Sequence, residues 1–585
     1  MMTTTISPNR PTPTNNAAAK NSTASSTTTI ASLGVVSLLS ACGGNNSMNE
    51  NANNAIATSN PGMAGAPSMA TLAPISDAEA ARFLAQAGLG VTRALIQKVQ
   101  SLGYSGWLDE QMAMPLSMSR WDWLVSKGMN DISLRNSQAG FDSCAWRKLL
   151  NSPDTLRQRV TLALSEILVI SINGLVNGGG WKAFAAASYL DMLEANCFGN
   201  YRDLLQKVST SSAMSLYLTF RGNTKYNPST GALPDENYAR ELMQLFSIGL
   251  LQLHPDGTAV LRDGVEQETY TLDDITGLAR VFTGWDFDLS SSNLSTPDYH
   301  RRPLKQVPSK HETGASSFLG ETVPAGLSGE AALSMSLDII FKHPNVAPFI
   351  SRQLIQRLVT SNPSPAYVAR VSSVFSSNNI GVKGDLKAVI KAIFLDDEAR
   401  NTINITNPTF GKVREPIVRF LNWARAFNAT SASDTWRVGD TSDAGTKLGQ
   451  SPLRSPSVFN FFRPGYVPPN SAIANANLVA PEMQIVSESS VVGYINFMQN
   501  AVSGTRIAGD LIGDYNALLP LANNPQALVD ELNLLLAANQ IGNTNITSIK
   551  NAIASMPATN DRNRSQRIYA ALTLILAAPE FIVLK

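Results

Sequence analysis

The stretch from Asp235 to Gly249 separates apolar and polar positions more sharply than its surroundings. On a helix at about 100° per residue, its large apolar side chains share one face and its polar side chains share the opposite face. The apolar face carries Tyr238, Leu242, Leu245 and Phe246; the polar face carries Glu236, Asn237, Arg240, Glu241 and Gln244. The pattern predicts one helix from Asp235 to Gly249, with an ion pair between Glu236 and Arg240, four residues later.

Helical periodicity recurs through most of the chain from Ser76 onward. Ser76 and Thr92 are predicted N-caps, and Ser152 with Pro153 predicts a helix that runs to about residue 170. An Asp-Gly turn after Leu261 predicts a β-hairpin. Alternating strand and helix patterns are absent, so the predicted fold is mainly α, a large multi-helix globular body with long ordered loops and one small hairpin.

The pattern divides the chain into three parts. Residues 1–42 are interpreted as a leader, and residues 43–74 lack large apolar side chains and are predicted to form a disordered tether. Residues 75–585 are the folded body. The body is read either as one unit or as two subdomains, about 75–290 and 325–585, joined by a loop-rich insertion at 286–329.

The leader has the features of a signal peptide. A short apolar segment from Ile30 to Leu39 is followed by Ser40-Ala41-Cys42-Gly43, and only basic charges precede the cysteine. This resembles the bacterial lipobox, in which Cys42 becomes acylated and forms the mature N-terminus. The resemblance implies an outer-membrane lipoprotein of the cell envelope, facing either the periplasm or the surface. The alternative is a disordered tail that contains a cysteine by chance.

The amino-acid composition argues against several classes of protein. The 585 residues include 46 basic and 45 acidic side chains. The two charges are nearly balanced, so the composition gives no indication of a nucleic-acid partner. Three cysteines exclude a disulfide framework and a cysteine-rich zinc module. Of these, Cys144 and Cys197 lie in the body, where a disulfide between them and two buried free thiols are both compatible with the sequence.

The polar face of the central helix is the leading candidate site. Glu236, Arg240 and Glu241 are candidate catalytic residues, since paired carboxylates beside a guanidinium suit acid–base chemistry or cation binding. Asn237 is a candidate for orienting a ligand. The competing interpretation is a structural network in which the carboxylates bond backbone amides and Arg240 bridges helices.

Two histidines supply further candidates. His311 is a candidate ligand-binding residue, and His343 could join it with Glu312 or with Asp273 and Asp274. Their spacing fits no metal-binding motif, so no metal site is predicted and the cofactor is left undefined. The alternatives are local: His343 terminates a turn, and Thr271 with Asp274 forms a capping box.

Several segments together identify a family resemblance. They are Asp235 to Gly249, Tyr270 to Ile275, Leu278 to Trp285, His311 to Gly314, His343 to Asn345 with Arg352-Gln353-Leu354, and Ser455 to Phe459. This combination resembles the bacterial family called domain of unknown function 1800. The resemblance implies no activity, but it implies a possible neighbour, an exported protein related to sulfatases and alkaline phosphatases.

Two functions remain open at this stage. The first is a non-enzymatic helical scaffold that binds or helps to mature that exported hydrolase-like partner, with the membrane reached through Cys42. The second is an envelope or extracellular enzyme, a hydrolase or a metal-dependent enzyme, that uses Glu236, Arg240 and Glu241. No complete catalytic constellation can be assembled from the residues, which favours the scaffold.

Overall fold

The computed structural model describes residues 74–175, 179–503, 507 and 510–585. Helices dominate this part of the chain and confirm the mainly α fold. They are α1 (Asp77–Ala87), α2 (Arg93–Ala113), α3 (Arg120–Ser126), α4 (Phe141–Asn151), α5 (Thr155–Ser165), α6 (Lys182–Asn196), α7 (Tyr201–Ser209), α8 (Ser212–Tyr217), α9 (Asn237–Gln244), α10 (Leu272–Ala279), α11 (Gly329–Lys342), α12 (Val346–Leu358), α13 (Pro365–Ser376), α14 (Leu386–Leu395), α15 (Asp397–Arg400), α16 (Pro416–Ala426), α17 (Ala472–Asn475), α18 (Glu488–Val502), α19 (Pro525–Ala537), α20 (Asn543–Ala554), α21 (Asp561–Ala577) and α22 (Pro579–Ile582).

The strands in the described ranges are two or three residues long and pair only in twos, all antiparallel. The pairs are β1 (Leu261–Arg262) with β2 (Val265–Glu266), β3 (Trp285–Asp286) with β4 (Lys305–Gln306), β5 (Ser316–Phe318) with β6 (Glu321–Val323), β7 (Lys412–Val413) with β10 (Val583–Leu584), and β8 (Thr430–Ser431) with β9 (Leu511–Ile512). The first pair is the predicted hairpin. Its turn residues, Asp263 and Gly264, both have positive φ, as a two-residue hairpin turn requires.

Local capping signals were reliable guides to helix starts. The Ser76 hydroxyl accepts the amide of Glu79 at the start of α1, and the Thr92 hydroxyl accepts the amide of Leu95 at the start of α2. Thr271 opens α10 with the predicted capping box, in which the Asp274 carboxylate accepts the Thr271 amide at 2.7 Å. Each cap satisfies amides that the first helical turn leaves unpaired.

The helix predicted after Ser152 is shorter than its periodicity suggests. It begins at Thr155 because the Ser152 hydroxyl donates to the Asp154 carboxylate at 2.5 Å instead of capping a helix. It ends at Ser165, and the next carbonyl, that of Glu166, accepts a hydrogen bond from Arg357 Nη2 at 2.9 Å. The predicted extension to residue 170 was therefore wrong.

The central helix is also shorter than predicted, because α9 covers only part of the stretch from Asp235 to Gly249. After α9 the chain turns, and the amides of Ile248 and Gly249 both donate to the Met243 carbonyl at 3.0 Å. Gly249 has φ +74°, and a Cβ atom there would lie 2.6 Å from the ring of Phe349. Only glycine fits this turn without strain.

Two helices form the centre of the body. Every residue of α5 is buried, and so is every residue of α16 except Arg425. α5 packs against α2, α4, α6 and α12, while α16 packs against α4 and α19. A helix buried on all sides must satisfy its polar side chains inside the protein. This requirement applies to charged groups such as Arg159, which is buried and whose Nη2 donates to the Arg357 carbonyl at 2.6 Å.

The described residues from 74 onward fall within one compact unit. Among them, no helix combines the length and hydropathy needed to cross a membrane. The loop-rich insertion at 286–329 contains β4, β5 and β6. The predicted leader with Cys42, and the predicted tether at 43–74 apart from Pro74, lie outside the described residues.

Candidate functional site

The polar face of α9 divides into an exposed pair and a buried acid. Arg240 Nη2 lies 3.2 Å from Glu236 Oε2, which confirms the predicted ion pair, and Thr276 Oγ1 donates to Glu236 Oε1 at 2.8 Å. Both side chains of the ion pair are partly exposed, so solvent weakens the interaction. Asn237 Nδ2 donates to Thr219 Oγ1 at 3.4 Å, on the same side of the helix start.

Glu241 differs from its neighbours because its side chain is buried. Its Oε2 atom has no hydrogen-bond partner among the described residues. Burial raises the pKa of Glu241, and the charge of Arg240 only partly offsets that rise. Glu241 is thus an isolated buried acid, whereas Glu236 and Arg240 pair at the surface.

The histidines are held by local contacts. His311 is buried, and its Nδ1 lies 3.1 Å from the Thr283 carbonyl and 3.3 Å from the Thr283 hydroxyl. His343 Nδ1 accepts the amide of Asn345 at 3.2 Å, just after the end of α11, which confirms the turn-ending alternative. Glu312 lies 3.5 Å from Arg280. Within the described ranges, no group of three or more His, Cys, Asp or Glu side chains is placed to hold a metal ion.

Cys144 and Cys197 are both free and buried. Of the two interpretations left open by the sequence, the structure confirms buried free thiols. Burial raises the pKa of the Cys144 thiol, and burial raises the pKa of Cys197 to about 12. Thiols protonated to this extent are poor nucleophiles.

A cavity of about 560 Å³ lies elsewhere, where the end of α5, the turn after α9, one face of α12 and the loop at 458–465 meet. Its apolar wall consists of Ile167, Leu245, Leu250, Leu251, Leu253, Phe349, Val458 and Phe459. Its polar and charged lining consists of Glu166, Gln244, Arg352, Gln353, Gln356, Arg357 and Arg463. The volume is within the usual range for small-molecule sites, as is the combination of apolar walls with a few polar groups.

The floor of the cavity, which we define as Glu166, Gln353 and Arg357, carries unpaired polar atoms. All three side chains are buried, yet Gln353 Nε2 and Arg357 Nε have no hydrogen-bond partner in the described chain. Glu166 Oε2 and Arg357 Nε lie 3.8 Å apart, too far for a hydrogen bond. A buried polar group without a partner costs about 1–3 kcal/mol, so two such groups beside one cavity call for an explanation.

A network of ionisable groups lies directly behind the floor. Gln450 Nε2 donates to Glu415 Oε2 at 2.8 Å and lies 3.4 Å from Glu166 Oε1. Lys412 Nζ lies 3.5 Å from Glu415 Oε1 and 3.0 Å from Glu482 Oε1. Glu166 and Glu415 also share a side-chain hydrogen bond.

This network separates the protonation of two neighbouring acids. Burial, and then the charge of Glu415, raise the pKa of Glu166 well above its ordinary value. Burial opposes ionisation of Glu415 too, but the charge of Lys412 and the hydrogen bond from Glu166 outweigh it and lower the pKa of Glu415 to about 2. Of the two carboxyl groups, the proton therefore favours Glu166 and the negative charge favours Glu415.

The candidates predicted from the sequence do not meet at this cavity. None of Glu236, Asn237, Arg240, Glu241 and His311 is among its lining residues. Sequence reasoning missed Glu166, Gln353, Arg357 and Glu415 as site residues. The available signal was the presence of charged residues in almost wholly apolar segments, as in the stretch that ends α5.

Three of the segments that carry the family resemblance do meet at the cavity. Gln244 and Leu245 come from the central stretch, Arg352 and Gln353 from α12, and Val458 with Phe459 from the last segment. A family model described as "Protein of unknown function (DUF1800)" matches residues 82–583. The chain belongs to the DUF1800 family. In this DUF1800 protein the match spans every element that lines the cavity. Comparisons with curated proteins and with solved structures returned no match.

Proposed function

We propose that this DUF1800 protein is an exported envelope protein whose helical body binds a small organic molecule in the cavity. One observation carries the proposal: a cavity of about 560 Å³ with an apolar wall ends in a floor of buried, unpaired polar atoms. An apolar ligand body would cover the leucine and phenylalanine wall. A polar group on the ligand would form hydrogen bonds with the floor atoms that have no partner in the protein.

Gln353 is well suited to this role. It forms no side-chain hydrogen bond with the described residues, and a half-turn about its last torsion exchanges its amide oxygen and nitrogen. It can therefore present either a donor or an acceptor to the cavity. Gln356, one turn further along α12, is used differently, because its Nε2 already donates to the Ser361 carbonyl at 3.0 Å.

The test is native mass spectrometry of the protein purified without detergent from its own host, followed by extraction and identification of any bound compound. We expect a small molecule to accompany the wild-type protein and to be lost from Leu251→Trp, which fills the cavity. Leu102→Trp, at an exposed position on α2, is the matched control and should keep the compound. Equal retention by both variants would contradict the proposal.

The proton shared by Glu166 and Glu415 favours a second candidate, an enzyme that acts on the bound molecule. Glu166 lines the cavity and would donate its proton to a ligand atom, becoming a carboxylate. This differs from the earlier enzyme hypothesis, whose residues Glu236, Arg240 and Glu241 do not line the cavity. If it is correct, Glu166→Gln will bind the extracted compound but will not convert it. Conversion at the wild-type rate would exclude this role.

The proposal includes a cellular localisation. Acylation at Cys42 would place the protein in the outer membrane of the cell envelope. Labelling with radioactive palmitate should mark the wild-type chain and not Cys42→Ser, and fractionation should move the variant out of the membrane. Label retained by Cys42→Ser would refute the lipidation site.

Binding of the exported sulfatase- or phosphatase-like partner is proposed for the hairpin surface. Leu261 and Val265 on the hairpin are 58% and 64% exposed, and Leu250 beside it is 55% exposed. Because Leu261 pairs with Glu266 and Val265 with Arg262, the two apolar side chains lie on opposite faces of the hairpin, and a partner that clasps the hairpin would cover both. Co-expression with the product of a neighbouring gene of that class should give a complex that Leu261→Glu weakens. Unchanged co-purification with Leu261→Glu would contradict this surface.

A further inference from the structure

Two arginines at the opening of the cavity lack acidic partners. Arg352 and Arg463 both line the cavity and have exposed side chains. Neither forms an ion pair with a described residue. We refer to Arg352 and Arg463 together as the rim.

Each rim arginine is held in place by contacts that leave its charge available. Arg352 Nη1 donates to the Gly257 carbonyl at 3.3 Å, its only hydrogen bond with the described chain. The Arg463 guanidinium lies 4.7 Å from the ring centroid of Phe459, which is itself part of the cavity wall. A carbonyl contact and a ring stack orient a guanidinium without neutralising it, so its remaining N–H groups can bind an anion.

The floor adds a third guanidinium group, that of Arg357. Arg357 donates to the Glu166 carbonyl rather than pairing closely with the Glu166 carboxyl, which lies 3.8 Å away. Glu166 is the acidic residue in the lining, and it is the member of the carboxyl pair that keeps the proton. Three guanidinium groups thus border a cavity that has one acidic side chain, Glu166, among its lining residues.

We propose that the ligand is an amphipathic anion: its apolar chain or ring occupies the cavity, a carboxylate, phosphate or sulfate group binds the rim arginines, and a second polar group at its buried end meets the floor. This inference rests on the proposed function and specifies the class of its ligand. Arginine is suited to this task because its planar fork of N–H donors matches the oxygens of such groups.

The experiment uses probes that share one ten-carbon chain and differ in the head group: decanoate, 1-decanol and decyltrimethylammonium. Each is titrated calorimetrically into the full chain, purified without detergent so that no other amphiphile competes. We expect decanoate to bind at least about tenfold more tightly than decanol, and its affinity to fall as salt is raised. The cationic probe should bind more weakly than decanol. Decyl phosphate separates carboxylate from phosphate preference.

The variant is the double substitution Arg352→Gln and Arg463→Gln. It should bind decanoate no better than decanol and should bind decanol as the wild type does, because the apolar wall is unchanged. Arg562→Gln, at an exposed arginine on α21, is the matched control and should leave every affinity unchanged.

The outcomes separate this inference from the proposed function. If decanoate and decanol bind the wild type equally, or if the double variant keeps the preference for decanoate, the anionic class is wrong while the cavity remains a ligand site. If none of the probes binds saturably, both the ligand class and the proposed function fail.

Discussion

Gln353 and Gln356 provide a matched test of whether the polar groups of the cavity floor lack hydrogen-bond partners until a ligand binds. Both are buried glutamines on α12 and both line the cavity, but of the two only Gln356 has partners among the described residues: its Nε2 donates to the Ser361 carbonyl at 3.0 Å and lies 3.4 Å from the Pro464 carbonyl. Replacing each with methionine keeps the length of the side chain and removes its amide. The two variants should therefore differ in the sign of their effect on stability.

The magnitudes follow from the hydrogen bonds. Gln353→Met removes a buried amide that bonds to no described group, which should raise the free energy of unfolding by about 1 kcal/mol. Gln356→Met deletes a hydrogen bond and leaves the buried Ser361 carbonyl unpaired, which should lower it by about 1–3 kcal/mol. Ligand affinity should respond in the opposite way, with the larger loss in Gln353→Met.

Urea unfolding monitored by circular dichroism measures the first effect, and titration with the compound extracted from the wild-type protein measures the second. If Gln353→Met destabilises the protein as much as Gln356→Met does, then the Gln353 amide is already satisfied in the free protein. The argument that a ligand completes the floor would then be refuted.

Four further predictions concern protons, thiols and the turn beside the cavity. The pKa of Glu166 is raised in the folded protein, so the free energy of unfolding of the wild type should fall as pH rises from the ordinary glutamate pKa through the raised pKa. Glu166→Gln should remove up to about 1.4 kcal/mol per pH unit of this slope, as measured by unfolding experiments at several pH values. An unchanged slope would contradict the assignment of the proton to Glu166. Below pH 4.5 the opposite sign applies, because protonating Glu415 removes its stabilising charge as pH falls toward about 2; wild type should lose stability there more steeply than Glu415→Gln. Cys144 and Cys197 should resist a thiol reagent until the protein is unfolded in denaturant and should then both react, whereas an intact mass lower by two hydrogens would reveal a disulfide. Gly249→Ala should lower the free energy of unfolding by more than about 1 kcal/mol, because the new Cβ meets positive φ and an aromatic ring, and a neutral result would show that the turn can relax.

Local signals in the sequence predicted much of the fold. Ser76, Thr92 and Thr271 cap the helices that they were expected to open, and the Asp-Gly turn forms its hairpin. Each of these depends on contacts within about four residues, which a sequence displays directly. The predicted ends of α5 and α9 were wrong because tertiary contacts end both helices early. Arg357 donates a hydrogen bond to the Glu166 carbonyl just after α5, and the Gly249 turn after α9 packs on the ring of Phe349 in α12.

The candidate site was harder to predict because its parts are far apart in sequence. Glu166, Gln353 and Glu415 come together only through the packing of α5, α12 and the start of α16. Glu236, Arg240 and Glu241 attracted attention because they are close in sequence. Yet Glu236 and Arg240 pair at the surface and Glu241 is buried apart from them, while Gln244 and Leu245, at the early end of α9, line the cavity. Their catalytic role stays a prediction.

The most direct test of the central claim is photo-crosslinking with a ten-carbon carboxylic acid that carries a diazirine on its chain, followed by peptide mapping. The account predicts saturable labelling of the segments 244–253, 349–357 and 458–465, which line the cavity, and competition by unlabelled decanoate. Labelling spread over exposed surfaces, without competition, would contradict the claim that this cavity is the ligand site.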